Sequence, residues 1–241
     1  MSPAVLTPTP GKSVLNCPVL PYSLPDLTFF HSRKIELDTM CWIPDRRIIV
    51  LGRGSQPEQA FFPEQAARRN IPVMRRPSGG ETVLLSPHTI LIAAVRTGVK
   101  LQSPHRFFTE FNQRVISALQ SCGVEDLNQK GTSDICIGRK KILGSSIYWH
   151  RNRLLYHAVL NVGEPLENID ILLKHPPREP EYRKGRSHSE FVTSLRLAGC
   201  RTSIEILKKS LISELISPGQ SQWSSHASTP ATNNAGIMLS T

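Results

Sequence analysis

The 241-residue chain lacks the cysteine spacings of a structural metal site. Its five cysteines are odd in number and form neither a Cys-x-x-Cys pair nor a Cys/His zinc pattern, which predicts free thiols in a reducing compartment and no structural metal. The chain also lacks the roughly 20 consecutive apolar residues of a membrane span, and its start has no apolar core behind basic residues. We therefore expect a cytoplasmic protein without a membrane partner. The Pro/Ser/Thr-rich start leaves organellar targeting open.

Basic residues are abundant but not concentrated. The net charge is +10, and phosphate binding by a basic protein needs lysines and arginines gathered on one surface. Here they fall in short groups spread along the chain, and no aromatic RNA-recognition pattern lies beside them. The sequence thus predicts no nucleic-acid partner and favours acidic small molecules or an acidic protein surface.

The composition predicts one folded domain with irregular ends. A hydrophobic content of 39% over this length is enough for a single core. Residues 1–32 are rich in proline and are expected to be an irregular N-terminal segment. Residues 33–216 are expected to form the domain. Residues 217–241 contain no Asp, Glu, Lys or Arg and are predicted to be a disordered polar tail.

Apolar periodicity predicts short strands with helices between them. The predicted strands are 47–51, 71–74, 82–85, 89–95, 135–137, 142–149 and 154–162, and the predicted helices are 57–69, 103–123 with Ser103 as N-cap, and 203–215. Turn residues predict that 82–85 pairs with 89–95 in a hairpin, and 142–149 with 154–162 in another. This order indicates an α+β domain with a mixed, largely antiparallel sheet flanked by helices, and not a doubly wound parallel sheet.

Two segments between predicted strands have the composition of an anion site. Residues 75–80 read RRPSGG, in which paired glycines allow close backbone approach and arginines suit a carboxylate or phosphate. Residues 138–146 read GRKKILGSS, which places Lys141 at the mouth of a strand and leaves space above Gly144. Taken singly, the first segment is equally well explained as a glycine-containing turn with solvated arginines, and the second is better explained as a solvated hairpin turn. A third basic segment, 182–191, gives supporting weight only, and its His188 is expected to be structural.

Together the segments resemble a known family. Residues 75–80, then Ser133-Asp134 with the KILGSS stretch from Lys141, then YHAVL at 156–160, resemble the catalytic domain of the biotin/lipoate protein ligase and octanoyltransferase family. The resemblance runs from about Trp42 to Leu195. It implies that residues 33–216 are a lipoate-protein ligase-like catalytic domain, with the fold that this family shares with class II aminoacyl-tRNA synthetases.

The resemblance also implies roles for single residues. Lys141 is expected to be the catalytic residue that contacts the acyl carbonyl and the phosphate, and Asp134 to lie near the nucleotide and its Mg²⁺. The residues expected to bind the lipoyl or acyl-AMP group are Arg75, Arg76, Ser78, Gly79, Gly80, Gly144, Ser145 and His157. The implied reaction is ATP-dependent activation of lipoate to lipoyl-AMP, followed by transfer to a lysine of a lipoyl-domain or glycine-cleavage H-type carrier protein.

Three alternatives remain at this stage. An octanoyl or lipoyl transferase without ATP needs a cysteine nucleophile, but Cys136 stands in an Ile-Cys-Ile strand that predicts burial. A degenerate lipoate-binding homologue is suggested by Glu81, which replaces a third glycine, is expected to strain a left-handed backbone, and carries a charge that would oppose an anionic substrate. Biotin ligation is disfavoured because its basic GRGRxxR-like loop is missing. The short remainder after Leu215 predicts either that adenylation depends on a separate accessory polypeptide or that the protein only transfers a ready-made acyl group.

Overall fold

Two packed β-sheets form the frame of the molecule. The computed structural model describes residues 17–32, 37–98 and 104–216. The strands are β1 (Val19–Pro21), β2 (Leu37–Trp42), β3 (Ile48–Leu51), β4 (Val73–Arg75), β5 (Val83–Leu85), β6 (Thr89–Thr97), β7 (Leu127–Lys130), β8 (Asp134–Ile137), β9 (Lys140–His150) and β10 (Arg153–Asn161). The helices are α1 (Pro25–Ser32), α2 (Pro57–Ala60), α3 (Pro63–Arg68), α4 (Pro104–Ser121), α5 (Leu166–Leu172), α6 (His188–Phe191) and α7 (Ile204–Ile216), with a 3-10 turn at Glu181–Arg183.

The two sheets differ in strand direction. The larger one has the order β2-β6-β10-β9-β8-β7 and is antiparallel throughout. The smaller one has the order β1-β4-β3-β5, in which β1 and β3 run parallel to β4 and β5 runs antiparallel to β3. The described strands therefore have the mixed, largely antiparallel α+β arrangement expected from the sequence.

Side-chain alternation along the strands explains the layering. On β6, Ile90, Ile92 and Ala94 pack against α4 and α7, whereas Leu91 and Val95 pack toward the smaller sheet. This follows from the period of two residues that places successive side chains on opposite faces of a sheet. The far face of the smaller sheet packs on α2, α3 and α5. The order of layers is thus helices, large sheet, small sheet, helices.

The two long helices match their predicted patterns. Buried residues recur at helical spacing along α4 from Phe107 through Phe111 to Leu119, so the aromatic stripe belongs to the core. The predicted N-cap Ser103 lies outside the described residues. At the start of α7, the Ser203 hydroxyl accepts a hydrogen bond from the amide of Ile206 at 3.3 Å. Among the described helices, none is long and apolar enough to cross a membrane.

One of the two predicted hairpins is wrong. β9 and β10 pair directly across the Arg151 turn, but β5 pairs with β3 in the small sheet while β6 pairs with β2 and β10 in the large one. The turn between β5 and β6 carries the chain from one sheet to the other. Thr89 Oγ1 closes this turn by donating to the Ser86 carbonyl at 2.9 Å. A turn signal marks where a strand stops and does not specify its partner.

Two further boundaries also differ from the sequence prediction. The predicted helix 57–69 is split into α2 and α3, because Phe61 is extended and forms a β-bridge with Leu173. Residues 17–32, expected to be irregular, contain β1 and α1, and Phe30 of α1 is buried between the sheets. Strand β1 has only three residues and ends in Pro21, so it is too short to show the alternation of apolar and polar residues that predicts a strand. Residues 1–16 and the tail 217–241 lie outside the described part.

Candidate active site

A cavity of about 490 Å³ opens between the two sheets. β5, β6, β9 and β10 supply its walls, together with the segment 174–192, which we call the strap. Leu84, Leu91 and Val159 give it an apolar lining. Polar and charged side chains also line it, and among them are three predicted site residues from separate parts of the sequence, Arg76, Lys141 and His157. The structure therefore gathers the main predicted site residues around one space.

Arg76 is a buried cation in the cavity wall. Its side chain is 6% exposed, and Nη2 donates to the carbonyls of Gly79 at 2.7 Å and Glu81 at 2.9 Å, while Nη1 donates to Val50 at 3.3 Å. Burial lowers the pKa of Arg76 to about 10, and the nearby Tyr22, Glu81 and Asp26 oppose that shift. The guanidinium therefore stays charged at neutral pH.

Arg75, in contrast, turns away from the cavity. Its Nη1 donates to the carbonyls of Gly52, Arg53 and Ser55 at 3.0, 3.2 and 2.7 Å, respectively. Consecutive residues at the end of a strand face opposite sides, so two adjacent arginines cannot both face the same ligand. The structure gives Arg75 a role in holding the turn 52–55 and places only Arg76 in the predicted pocket.

Gly52 and Gly80 permit close contact between two loops. A Cβ on Gly52 would lie 1.8 Å from the carbonyl oxygen of Gly80, and Gly80 itself has φ +86°. The Ser146 hydroxyl donates to the Gly79 carbonyl at 2.9 Å, which ties this loop to β9. Glu81 is absent from the described non-glycine residues with positive φ, so the strain expected from it does not occur. The left-handed position is occupied by glycine.

Lys141 is held over the sheet by a carboxylate. Its Nζ lies 2.8 Å from Asp134 Oδ1, and its side chain is 28% exposed while that of Asp134 is nearly buried. Gly144 provides the space for this conformation, since a Cβ there would lie 2.7 Å from Lys141 Nζ. The predicted trio of Lys141, Asp134 and Gly144 is thus assembled at one point of the cavity.

Tyr182 of the strap completes the surroundings of Asp134. Its hydroxyl donates to Asp134 Oδ2 at 2.7 Å, and the Ser133 hydroxyl donates to Oδ1 at 3.1 Å. Burial and the Asp134 charge raise the pKa of Tyr182, which keeps it a protonated donor. Sequence reasoning missed this partner, because no local pattern links residues 48 positions apart.

This arrangement offers little to a metal ion. Both oxygens of Asp134 already accept hydrogen bonds from protein groups. Across the described ranges, no group of three or more His, Cys, Asp or Glu side chains could hold a metal. The described residues thus form no Mg²⁺ site from protein ligands alone, and we assign no chemical step to the ion, which in nucleotide sites is held largely by phosphate oxygens and water.

Ser145 and Cys136 are both committed to structural contacts. The Ser145 amide and hydroxyl donate to the Ser133 carbonyl at 2.9 and 2.7 Å, which fixes the segment before Asp134. Cys136 is fully buried, and its thiol donates to Tyr182 Oη at 3.7 Å. Burial raises the pKa of the Cys136 thiol. A nucleophilic cysteine needs access and a lowered pKa, and Cys136 has neither.

His157 joins the cavity wall to the N-terminal helix. Its Nε2 lies 2.6 Å from Ser78 Oγ, and its Nδ1 lies 2.9 Å from Asp26 Oδ2 in α1. The Tyr22 hydroxyl donates to Asp26 Oδ1 at 2.9 Å. The residues Asp26 and Tyr22 were missed at the sequence level, because residues 1–32 were expected to be irregular.

Comparison with known proteins decides the family. A family model described as the lipoyl protein ligase A/B catalytic domain matches residues 26–216. The chain belongs to this family. It is 29% identical over 133 residues to lipoate–protein ligase 1 of Staphylococcus aureus, a match covering 55% of this chain and 40% of that protein. Across the curated relatives that it matches, the aligned segment spans between 34% and 60% of their length.

Solved structures of the family confirm the fold. The bi-partite lipoate protein ligase of Thermoplasma acidophilum, studied with its E2 lipoyl domain, superposes with a TM-score of 0.68 at 22% identity, covering 78% of this chain and 74% of that one. A lipoate-protein ligase A bound with ATP superposes with a TM-score of 0.65 at 20% identity, covering 78% and 76%. The predicted family and α+β catalytic-domain fold are thus both confirmed.

The position of Lys141 leads to a first prediction. Gly144→Ala is expected to push the Lys141 amine off Asp134, because the new methyl group would occupy the space of Nζ. The fold should survive, since the displaced atoms are the end of a flexible side chain. We expect the carrier-acylation activity that is proposed below to fall by about tenfold or more, while the thermal midpoint changes little. Full activity in this variant would show that the observed lysine position is not needed.

The strap contains a largely buried histidine whose pKa is lowered. His188 lines the cavity, its side chain is 13% exposed, and its Nδ1 lies 3.5 Å from Asp170 Oδ1. Burial and the positive charge of Arg183 lower the pKa of His188 from 6.5 to about 4, although Asp170 opposes the shift. The folded protein therefore keeps this imidazole neutral in mildly acidic solution.

This leads to a prediction about acid stability. Between pH 6.5 and about 4 the unfolded chain binds a proton at His188 that the folded chain does not, so the free energy of unfolding falls as the pH falls. The contribution is on the order of 2–3 kcal/mol. His188→Gln should make the free energy of unfolding less dependent on pH in this range, as measured by urea unfolding at several pH values. His88→Gln, which changes an exposed histidine, is the matched control and should leave the slope unaltered.

Proposed function

We propose that the protein is an ATP-dependent lipoate–protein ligase that activates lipoate to lipoyl-AMP and transfers the lipoyl group to a lysine of an acceptor carrier protein. The observation that carries the proposal is the placement of two cations, Arg76 and Lys141, on the wall of a largely apolar cavity. An apolar cavity suits an acyl chain, and two cations suit the carboxylate and phosphate that adenylation must bring together.

The proposed chemistry has two steps. A carboxylate oxygen of lipoate attacks the α-phosphorus of ATP and pyrophosphate leaves. The amine of the acceptor lysine then attacks the acyl carbonyl, its proton is released, and AMP leaves. In both steps negative charge develops beside the position of Lys141. Asp134 holds the amine in place until an anionic ligand competes for it.

The apolar wall and Arg76 have separate roles in this scheme. Leu84, Leu91 and Val159 would contact the hydrocarbon part of lipoate. Arg76 is too buried and too fully hydrogen-bonded to swing toward a ligand, so it would act as a fixed positive charge. A preorganised charge of this kind costs no reorganisation during the reaction.

The cofactor and partner assignments rest on the likeness to lipoate–protein ligases. ATP is proposed as substrate, and Mg²⁺ is expected only as its counter-ion because the described residues form no metal site. The proposed acceptor is a lipoyl-domain or glycine-cleavage H-type carrier. A separate accessory polypeptide is proposed as well, since a structural relative is bi-partite. All five cysteines are unpaired, which supports a cytoplasmic location.

No observation favours the alternatives. The transferase mechanism requires an accessible thiolate, and Cys136 is fully buried with a raised pKa. The degenerate-homologue hypothesis rested on strain at Glu81, and that residue has no left-handed backbone. Its carboxylate instead lies 3.6 Å from the exposed Arg178, at the edge of the cavity.

The proposal predicts ATP-dependent acylation of a carrier. Incubation with lipoate, Mg-ATP and an apo lipoyl domain should add the mass of one lipoyl group to the carrier, measured by mass spectrometry. Lys141→Ala should reduce the rate by about 100-fold or more, because the charge that stabilises both steps is lost. Lys140→Ala is the matched control, since it removes an exposed neighbouring lysine, and it should retain activity.

Two further arms of this assay separate the mechanisms. Cys136→Ser should remain active, since the buried thiol takes no part. If the carrier gains no mass with lipoate and ATP, but gains mass from an octanoyl-carrier protein without ATP, the ligase assignment is wrong. Because the accessory polypeptide is proposed to be separate, the assay is run both with the chain alone and with the accessory subunit of a bi-partite ligase.

A further inference from the structure

Five buried residues form a continuous hydrogen-bonded series beside the cavity. The series runs from Arg76 through Ser78, His157 and Asp26 to Tyr22. Asp26 is fully buried, and Ser78 and His157 are nearly so. The series connects the glycine loop, strand β10 and helix α1, which are far apart in sequence. The proposed reaction uses only Arg76 of this series.

The chemistry of the end groups fixes the direction of the hydrogen bonds at a neutral His157. The Arg76 Nε–H can only donate, and it donates to Ser78 Oγ at 3.0 Å. The Asp26 carboxylate can only accept, so His157 Nδ1 carries a proton and donates it to Asp26 Oδ2 at 2.9 Å. A neutral imidazole with a protonated Nδ1 has an accepting Nε2, so the Ser78 hydroxyl donates to Nε2 across 2.6 Å.

Tyr22 secures the far end of the series. Its hydroxyl lies 2.9 and 3.0 Å from the two oxygens of Asp26 and donates to them. Burial and the Asp26 charge raise the pKa of Tyr22, so it remains a donor. Asp26 therefore has donors on both sides and acts only as an acceptor. With a neutral imidazole, one arrangement of protons satisfies the whole series.

The serine, histidine and aspartate have the spacing of a hydrolytic triad, but the serine is not placed as a nucleophile. Ser78 is 2% exposed, and its oxygen already accepts a hydrogen bond from a cation, which lowers its nucleophilicity. A nucleophile must reach the substrate carbonyl. The arrangement instead holds the Nε side of Arg76, while Nη1 and Nη2 bind backbone carbonyls.

We propose that Asp26 is a positioning residue for the adenylation site, which selects the Nδ1-protonated tautomer of His157 and thereby holds Ser78 and Arg76 in the cavity wall. The proposal rests on the proposed ligase function and extends it to helix α1. Asp26 acts through His157 and does not touch the substrate. Its replacement by an isosteric amide should therefore disturb the direction of the hydrogen bonds more than the packing.

The test uses Asp26→Asn. Asparagine leaves a single acceptor oxygen for the two donors, Tyr22 and His157. With that oxygen at the Oδ1 position, which only Tyr22 contacts, the amide group faces His157 Nδ1. His157 would then carry its proton on Nε2, facing the Ser78 hydroxyl. We expect a loss of about 100-fold in kcat/KM for carrier lipoylation. Asp45→Asn, an exposed aspartate outside the series, is the control and should be unchanged.

Nitrogen NMR of histidine-labelled protein provides a readout that does not depend on activity. The wild-type chain should show His157 with a protonated Nδ1 and an unprotonated Nε2, and Asp26→Asn should reverse this. An Nε2-protonated His157 in the wild type would overturn the proposal. The wild-type measurement remains decisive if the variant does not fold. It also remains decisive if the ligase function itself proves wrong.

A double-mutant cycle separates positioning from a merely structural role. Ser78→Ala removes the hydroxyl that makes the His157 tautomer matter, and it should itself lower activity. Adding Asp26→Asn to Ser78→Ala should then cost no more than about twofold further. A product of the two separate losses, or full activity in Asp26→Asn alone, would show that Asp26 does not act through this series.

Discussion

The rest of the site depends on the burial of one guanidinium, that of Arg76. A cation this far from water is tolerated only if its donors are satisfied, and Arg76 binds the carbonyls of Val50, Gly79 and Glu81 as well as the Ser78 hydroxyl. These bonds join strand β3 to the glycine loop. They also bring Gly80 close to the guanidinium, since a Cβ at this left-handed position (φ +86°) would lie 3.0 Å from Arg76 Nη2.

Two cations of the cavity wall, Arg76 and Lys141, are each connected to a carboxylate. Lys141 pairs directly with Asp134, and Arg76 is linked to Asp26 through Ser78 and His157. The two arrangements differ in mobility. Lys141 is partly exposed, and an anionic ligand can displace Asp134, its ion-pair partner among the described residues. Arg76 is buried and donates to four protein groups. Lys141 can therefore move toward the developing charge, whereas Arg76 stays fixed in the cavity wall.

Local patterns in the sequence predicted the long helices and one hairpin, and the family resemblance predicted the pair of Lys141 and Asp134. α4 and α7 were visible from helical spacing, the β9–β10 hairpin from its turn, and the closeness of Lys141 and Asp134 from the family resemblance. The alternation of strand residues, applied to Arg75 and Arg76, could also have separated their roles. The partners Asp26, Tyr22 and Tyr182 could not be found in this way, because each meets its partner only through tertiary folding. The division of β5 and β6 between two sheets is non-local in the same sense.

The proposed ligase function requires that lipoate and ATP react in this cavity to form an acyl-adenylate. The most direct measurement is lipoate-dependent exchange of labelled pyrophosphate into ATP, which isolates the first step from carrier transfer. We expect exchange that requires both the protein and lipoate and that does not require a carrier. Absence of exchange, in the chain alone and with the accessory subunit of a bi-partite ligase, would contradict this expectation, as would exchange that proceeds equally without lipoate.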